Sequence, residues 1–446
     1  MPSVSAERYW NPVLETLPPE KLRCLQFEKL KRIVFWGYEK SKLYRSLYDA
    51  AGFSPQDLKG WEDLAKIPMV TKEDYRKAQA KEPWPYGDAL CVPLEQVTEY
   101  HQTSGTTGQP VYQADTWQDW EWWTECWSYI LWAQGFRPSD RVFLPFGYNV
   151  FIAFWAGHYA AQKLGCEVVA GGVLNTEERL LKIKEVRATA LMGTPTYLLN
   201  MAETCEKKLG FPARELGIKK ILCAGEPGAS VAGTKERITE AWGAEVFDHV
   251  GATEVGGWGF ECTHHPGGIH VNEAMFLVEL LELDSNAPIT QPERLGRIVI
   301  TAFDRKAQPC IRFDTKDLGM WSAEPCGCGR TFRVLKGGVL GRADHLTKVK
   351  GVLFSPVAVE EVVRSIRELG DEYELIVTKK GDVDQLILKV ELLPEHQGQE
   401  ARVKEELERQ LRLKTNLHYT IEFHPFGSLP RYEVKAKRFK DLRKPH

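Results

Sequence analysis

Three groups of residues in this chain have the types and spacing to do chemistry. The first is "TSGTTGQP", residues 103–110, where hydroxyl side chains sit beside two glycines and a proline closes the run. Glycine lets a loop take positive φ and approach a ligand closely, and hydroxyls add donors suited to phosphate oxygens. No lysine follows the second glycine, so this is not the G-x-x-x-x-G-K-[ST] phosphate loop. A polar surface turn and a phosphate-gripping loop both fit these residues. The second group is sulfur and imidazole: "ECTHHPGGIH" sets Cys262 near His264, His265 and His270, and "PCGCGR" adds Cys326 and Cys328. Three thiolates and one imidazole fill a tetrahedral zinc site and leave no open position, as in a structural metal site. Unligated buried thiols are the other reading. The third group is carboxylates in "AGEPG" (224–228) and "DHVGATE" (248–254).

The elements that must position these groups are readable from apolar patterning. Residues 18–80 look helical and connective. "TWQDWEWWTECWSYILWAQGF" repeats large apolar residues at three- and four-residue steps, which predicts a helix holding six of the fourteen tryptophans. Such a helix either packs in the core or walls an aromatic pocket. From residue 141 strands alternate with helices: "RVFLPF", "CEVVAGG", "ATALMGT", "KKILCAG" and "AEVFDHVG" are strands, mostly apolar throughout. That pattern means a parallel sheet covered on both faces. Asn175 with Glu178 three residues later is a capping box that starts one of the intervening helices. Ligands of such sheets bind at the carboxyl ends of the strands, so the two carboxylate motifs should face one crevice. After about residue 260 the strands become hairpin-like. Beyond Gly341 a small β-α-β-β-α-β-like unit of roughly 100 residues ends in the basic tail "RYEVKAKRFKDLRK". The expected fold is therefore α/β: a large N-terminal domain (1–341) with parallel α/β sheets, and a small C-terminal α+β domain (342–446).

At 446 residues the chain can bury a large core, and its 43% hydrophobic and 27% charged residues are those of an ordinary globular protein. A net charge of -3 gives no electrostatic case for nucleic acid or an anionic membrane. "MPSVSAERYWNPVLETLPPEKL" has neither a signal-peptide core nor a basic leader, and no run approaches a membrane span. The ten cysteines then read as reduced thiols or metal ligands. The expectation is a cytoplasmic protein.

"TSGTTGQP", "AGEPG", "DHVGATE", "RFDTKDLG", "GRADHLTKVKG" and "LPRYEVKAKR" occur in the order and spacing of the adenylate-forming acyl-CoA ligases. The chain resembles their phenylacetate-CoA ligase branch in particular, a likeness that extends to the N-terminal "SKLYRSLYDAAGFSPQDLKGWEDLAKIPMVTKEDYR". The resemblance implies two half-reactions. A carboxylate attacks the α-phosphorus of ATP and expels pyrophosphate, and the thiol of coenzyme A then displaces AMP from the acyl-adenylate. Phosphoryl transfer asks mainly for positioning and charge stabilisation. By resemblance, Thr103, Ser104, Gly105, Thr106, Thr107 and Gly108 cradle the β- and γ-phosphates. Lys435 supplies the cation that the loop lacks, with Lys437 a rival two residues away; a lysine is a compact charge on a flexible stem. Glu254 holds Mg²⁺, as a hard oxygen ligand should, and Thr253 contacts the α-phosphate. Gly225, Glu226 and Pro227 line the adenine site with Asp248 beside them, Asp317 takes the ribose hydroxyls, and Arg342 helps hold the nucleotide. Asp344 marks a hinge about which the small domain swings between the half-reactions, although His345 follows it where many relatives carry a second acidic residue. The branch's G-x-H element favours His270 over His265 as the fourth zinc ligand, beside Cys262, Cys326 and Cys328.

The acid is the least legible partner. Phe146, Gly147 and Tyr148 fall where the resemblance puts the acyl group, and Gly256 and Trp258 follow Glu254. Aromatic walls suit an aryl acid, whereas a bulky Trp258 would suit a short branched or hydroxylated one. The expected partners are this acid, ATP and coenzyme A, without nucleic acid or membrane; a homodimer is compatible with all of this. Two rivals remain: an adenylating enzyme that uses another acceptor, and a nucleotide-binding protein that has lost catalysis.

Overall fold

The computed structural model describes residues 8–103, 109–226, 229–265, 267–344, 346–349, 352–380, 383–432 and 438–443. Five strands form the parallel part of an eight-stranded sheet: Glu167–Ala170, Arg141–Leu144, Ala190–Gly193, Lys220–Cys223 and Glu245–Ala252, in that spatial order. Ala190–Gly193 is buried at every residue, which explains why its sequence shows no polar alternation. Past Glu245–Ala252 the sheet turns antiparallel through Gly256–Phe260, Gly268–Val271 and Val334–Lys336. A second, antiparallel sheet is built from Phe276–Leu281, Gly296–Ala302, Phe313–Gly319 and Gly341–Arg342.

The tryptophan-rich segment is a helix, Trp117–Ala133. Its start is a capping box: Asp119 N–H donates to the Thr116 hydroxyl (3.2 Å), and Thr116 N–H donates back to the Asp119 carboxylate (3.0 Å). The same carboxylate accepts from the amides of Lys306 and Ala307 (2.6 and 3.2 Å), which pins the turn after Gly296–Ala302 to the helix end. Trp120, Trp122, Trp123 and Trp127 are buried, and Trp117 at the first position is exposed. Truncating one of the buried indoles would cost about 3–5 kcal/mol. These four indoles pack into the main hydrophobic core.

The C-terminal part has a core of its own, drawn from Val349 onward. Val403, Leu407 and Leu411 repeat every four residues along the helix Glu400–Thr415 and bury one stripe of it. That helix and Pro356–Ser365 accompany a four-stranded mixed sheet, in the order Thr420–His424, Val383–Leu392, Leu369–Lys380, Phe439–Asp441. Among the described residues no helix is long and apolar enough to cross a membrane.

Candidate active site

Antiparallel strands Glu245–Ala252 and Gly256–Phe260 are joined by a turn at residues 253–255, so Thr253 and Glu254 stand at the carboxyl end of the last parallel strand. The turn is held from behind. Arg305, fully buried, donates from Nη1 to the carbonyls of Thr253 (3.3 Å) and Glu254 (3.0 Å). Its other nitrogens make a bidentate pair with Asp115 (2.8 and 2.9 Å), which is also fully buried. Burial pushes the Asp115 carboxyl up to about 6, against the pull of the guanidinium. A fork of this kind fixes direction as well as distance. With its backbone anchored, Glu254 presents a nearly buried carboxylate, 3.0 Å from Lys72 Nζ. Lys72 opens the helix Lys72–Gln79.

The hairpin Glu99–Gln102 and Tyr112–Asp115 carries the glycine-rich loop and leads at its far end to Asp115. Thr103 closes the base of the loop: its amide donates to Val111 O (3.0 Å) and its hydroxyl accepts from Val111 N–H (2.9 Å). Gln102 N–H donates to Val150 O (3.0 Å), which joins the hairpin to the Phe146–Tyr148 segment. Ser104, Gly105, Thr106, Thr107, Gly108, Pro227 and Lys435 lie outside the described residues.

Asp317 and Arg342 face one another across adjacent strands. Arg342 donates to Asp317 (3.4 Å) and makes a two-pronged pair with Asp344 (2.8 and 2.7 Å); burial works against its charge, but Asp344 and Asp317, with a smaller part from Glu254, outweigh it and hold Arg342 charged. Gly225 has φ +94°, a left-handed conformation that disfavours any side chain. Glu226 accepts from the amide of Thr196 (2.8 Å) at the start of the helix Pro195–Thr204, so these strand ends are tied together. Asp248 is buried; desolvation, then the nearby Glu261 carboxylate, push its carboxyl up to about 7. His249, next to it, lies 4.4 Å from the Trp127 ring, its Nδ1 is 3.1 Å from Gly259 O, and burial pulls it down to about 4. Burial thus favours its neutral form.

The segment after Arg141–Leu144 turns aromatic faces onto the helix Ile152–Lys163. Phe146 packs at a tilt against Phe154 (centroids 3.6 Å apart, planes at 30°) and Tyr148 against Trp155 (4.5 Å, 57°), while the Tyr148 hydroxyl shares a 2.5 Å hydrogen bond with His158 Nδ1. Gly147 lies against Gly172, where an added Cβ would stand 3.6 Å from its carbonyl oxygen. Gly256, with φ +133°, admits Trp122 and Phe276 so closely that a Cβ would come within 2.9 Å of both. Trp258 is 2% exposed and belongs to the core.

Cys262, His270, Cys326 and Cys328 converge, all four buried, with their ligand atoms within 4.8 Å of one another. Cys262 Sγ lies 3.6 Å from Cys326 Sγ, and Cys328 Sγ lies 3.4 Å from His270 Nε2. Edges of that length fit a tetrahedron with metal–ligand bonds of about 2.0–2.3 Å. His270 Nδ1 is hydrogen-bonded to Phe332 O (3.1 Å), which leaves Nε2 facing the thiols. Backbone amides of His264, Cys328 and Arg330 donate to the three sulfurs at 3.4–3.5 Å. The N-terminal segment closes over the cluster: the Tyr9 hydroxyl donates to Cys328 O (2.9 Å), and Arg330 pairs with the buried Glu15.

Sequence reasoning missed Lys72, Asp115, Arg305 and His249. Lys72 and His249 both stand inside the motifs that carried the resemblance. Asp115 and Arg305 are 190 residues apart, and no local pattern links them.

Residues 351–443 match the AMP-binding enzyme C-terminal domain family. The chain is 34% identical to the phenylacetate-coenzyme A ligase of Thermus thermophilus, over 98% of this chain and 100% of that relative. Among solved structures, 2-hydroxyisobutyryl-CoA ligase in the postadenylation state with R3-HIB-AMP is similar at TM-score 0.92 and 27% identity, covering 99% of this chain and 94% of that one. The same ligase with 2-HIB-AMP and CoA in the thioesterification state is similar at TM-score 0.74 and 28% identity, covering 97% and 92%. Near-complete coverage at this identity decides the matter: the chain belongs to the phenylacetate-coenzyme A ligase family of adenylate-forming enzymes, and is an AMP-forming acid–thiol ligase.

Proposed function

We propose that this ligase activates an aryl carboxylic acid as its acyl-AMP and passes the acyl group to coenzyme A. The observation that carries this reading is the nearly buried Glu254 at the strand-end turn, anchored by the Arg305–Asp115 pair. A hard carboxylate so placed fits Mg²⁺, which when bound supplies charge neutralisation to the phosphates. Around it, Thr253 contacts the α-phosphate and Thr103 to Gly108 grip the outer phosphates. Gly225, Glu226, Pro227 and Asp248 serve the adenine, and Asp317 and Arg342 the ribose. Lys435 stabilises the charge that develops as the carboxylate attacks. The small domain begins near residue 342, and Asp344 is its hinge.

Phe146, Gly147, Tyr148, Gly256 and Trp258 would border the acyl group, and the aromatic clusters at Phe146 and Tyr148 support an aryl acid. Those rings are already paired with Phe154 and Trp155, an observation that favours a short branched or hydroxylated acid as the second reading. Cys262, His270, Cys326 and Cys328 would hold a structural zinc; four closed ligands leave no position for substrate. The protein acts in the cytoplasm, and no nucleic-acid partner enters the reading. The test is pyrophosphate release with ATP, Mg²⁺ and a panel of aryl and short-chain acids, with and without coenzyme A. Acid-dependent release, with thioester appearing only when coenzyme A is added, is the expected result. ATP binding without acid-dependent release from metal-replete protein would defeat the reading.

A further inference from the structure

The helix Ala232–Trp242 of the large unit packs against the small C-terminal unit. Arg237 reaches from that helix across the boundary. Its Nη1 donates to Asp371 Oδ1 (2.7 Å) and its Nη2 to Ile366 O (2.8 Å). One turn earlier stands Gly233, where an added Cβ would lie 2.7 Å from the backbone carbonyl of Arg364. Only a residue without a side chain lets the two backbones meet there. Asp371 is shared, since Arg364 Nη1 donates to its carbonyl (2.5 Å) and approaches its carboxylate (3.3 Å). Next to it in sequence, Glu372 holds Arg438 (3.0 Å), and Arg438 in turn donates to the Thr196 hydroxyl (3.3 Å).

That last contact tells what the docking is for. Thr196 and Glu226 stand at the carboxyl ends of parallel strands, and Arg438 is three residues beyond Lys435. The chain agrees at TM-score 0.92 with the related ligase in its postadenylation state, and at 0.74 with the same ligase in its thioesterification state. The docked arrangement therefore belongs to the adenylate side of the cycle.

We infer that Arg237, with Gly233 beneath it, is a latch that positions the small domain for adenylation and must open before thioester formation. The inference rests on the two-step ligase reading. The exposure of the pair suits a reversible contact: the Arg237 side chain is 19% exposed and that of Asp371 34%. A fully exposed pair would hold almost nothing, and a fully buried one would be costly to break. The partners of Arg237 are Asp371 and the Ile366 carbonyl of the small domain, so its expected role is that of a positioning residue.

The test uses the full-length enzyme with an acid found active in the release panel, so the ligase reading is fixed on wild type before the variants are read. Each half-reaction is followed separately: ATP–pyrophosphate exchange for adenylation, and thioester formation from supplied acyl-adenylate and coenzyme A. Arg237→Ala is expected to lower exchange by roughly threefold to tenfold, with thioester formation unchanged or faster. Gly233→Ala and Asp371→Asn, which disturb the contact by other means, should show the same split. Raised ionic strength should slow wild-type exchange more than that of Arg237→Ala. An equal fall in both half-reactions, or no change in either for all three variants, would overturn the latch.

Discussion

Replacing Arg305 by methionine tests the anchoring of the active-site turn most directly. Both Arg305 and Asp115 are fully buried, and the guanidinium serves four acceptors: two carboxylate oxygens and the carbonyls of Thr253 and Glu254. Removing one partner of such a pair costs about 3–5 kcal/mol, because the other is left desolvated and unmatched. Asp115 already titrates near 6 with the arginine present. Without it the carboxyl binds its proton still more tightly, while in the unfolded chain it titrates near 3.9. The folded variant therefore holds the extra proton, and its stability should fall as pH rises through and beyond that window. Urea unfolding at mildly acid and mildly alkaline pH would read both the cost and its slope. The decisive comparison is with the double variant Arg305→Met with Asp115→Leu, which replaces the ion pair by apolar groups of similar volume. Such replacements are often neutral or stabilising, so most of the stability should return. Activity should not, because no donor then holds the two carbonyls; loss of a supporting contact of this kind costs about 10- to 100-fold. Pyrophosphate release at saturating ATP and acid measures it. If the single variant loses less than about 1 kcal/mol, or the double variant regains both stability and activity, the anchor argument is wrong.

Two further expectations concern buried polar groups. Purified enzyme should carry about one zinc per chain. Cys328→Ser or strong chelation should remove it, lower the melting temperature and expose the segment around Tyr9 to protease; unchanged melting after complete metal loss would show that the cluster needs no ion. Asp248, held near 7 by burial and Glu261, binds its proton more tightly when folded than the reference carboxyl near 3.9. Its contribution is whole below about pH 4 and is lost as pH rises towards 7. Asp248→Asn should therefore gain stability relative to wild type across that range, and parallel melting curves for the two proteins would contradict it.

Much of the architecture was legible in the sequence because the parallel strands are apolar throughout and punctuated by capped helices. Asn175 and Glu178 form the expected reciprocal cap, with the Glu178 amide on Asn175 Oδ1 at 3.0 Å. The cysteine–histidine cluster was legible because its chemistry limits the ligand types, and the choice of His270 over His265 agrees with the converging set. What could not be read are pairs made by the fold alone. Arg305 meets Asp115 across 190 residues, and Lys72 meets Glu254 from a helix in the connective N-terminal region. Trp258 illustrates a different limit: its position after Glu254 places it near the motif, and only the structure adds that it is 2% exposed and packed among core residues. Sequence spacing says which residues are near a motif, but not which way a strand turns them.

The hydrogen bond from Gln102 N–H to Val150 O ties the base of the glycine-rich loop to the segment that carries Phe146 and Tyr148. A ligand that orders one of two tied segments lowers the entropy still to be lost by the other. With ATP on the loop and the acid at Phe146 and Tyr148, as proposed, the two substrates of the first half-reaction would be thermodynamically linked through this contact. Whatever factor the acid adds to the affinity for ATP, ATP must return to the acid. Were the two segments to hold ATP and the acid as proposed, that reciprocity would show as an ATP affinity that depends on the acid present.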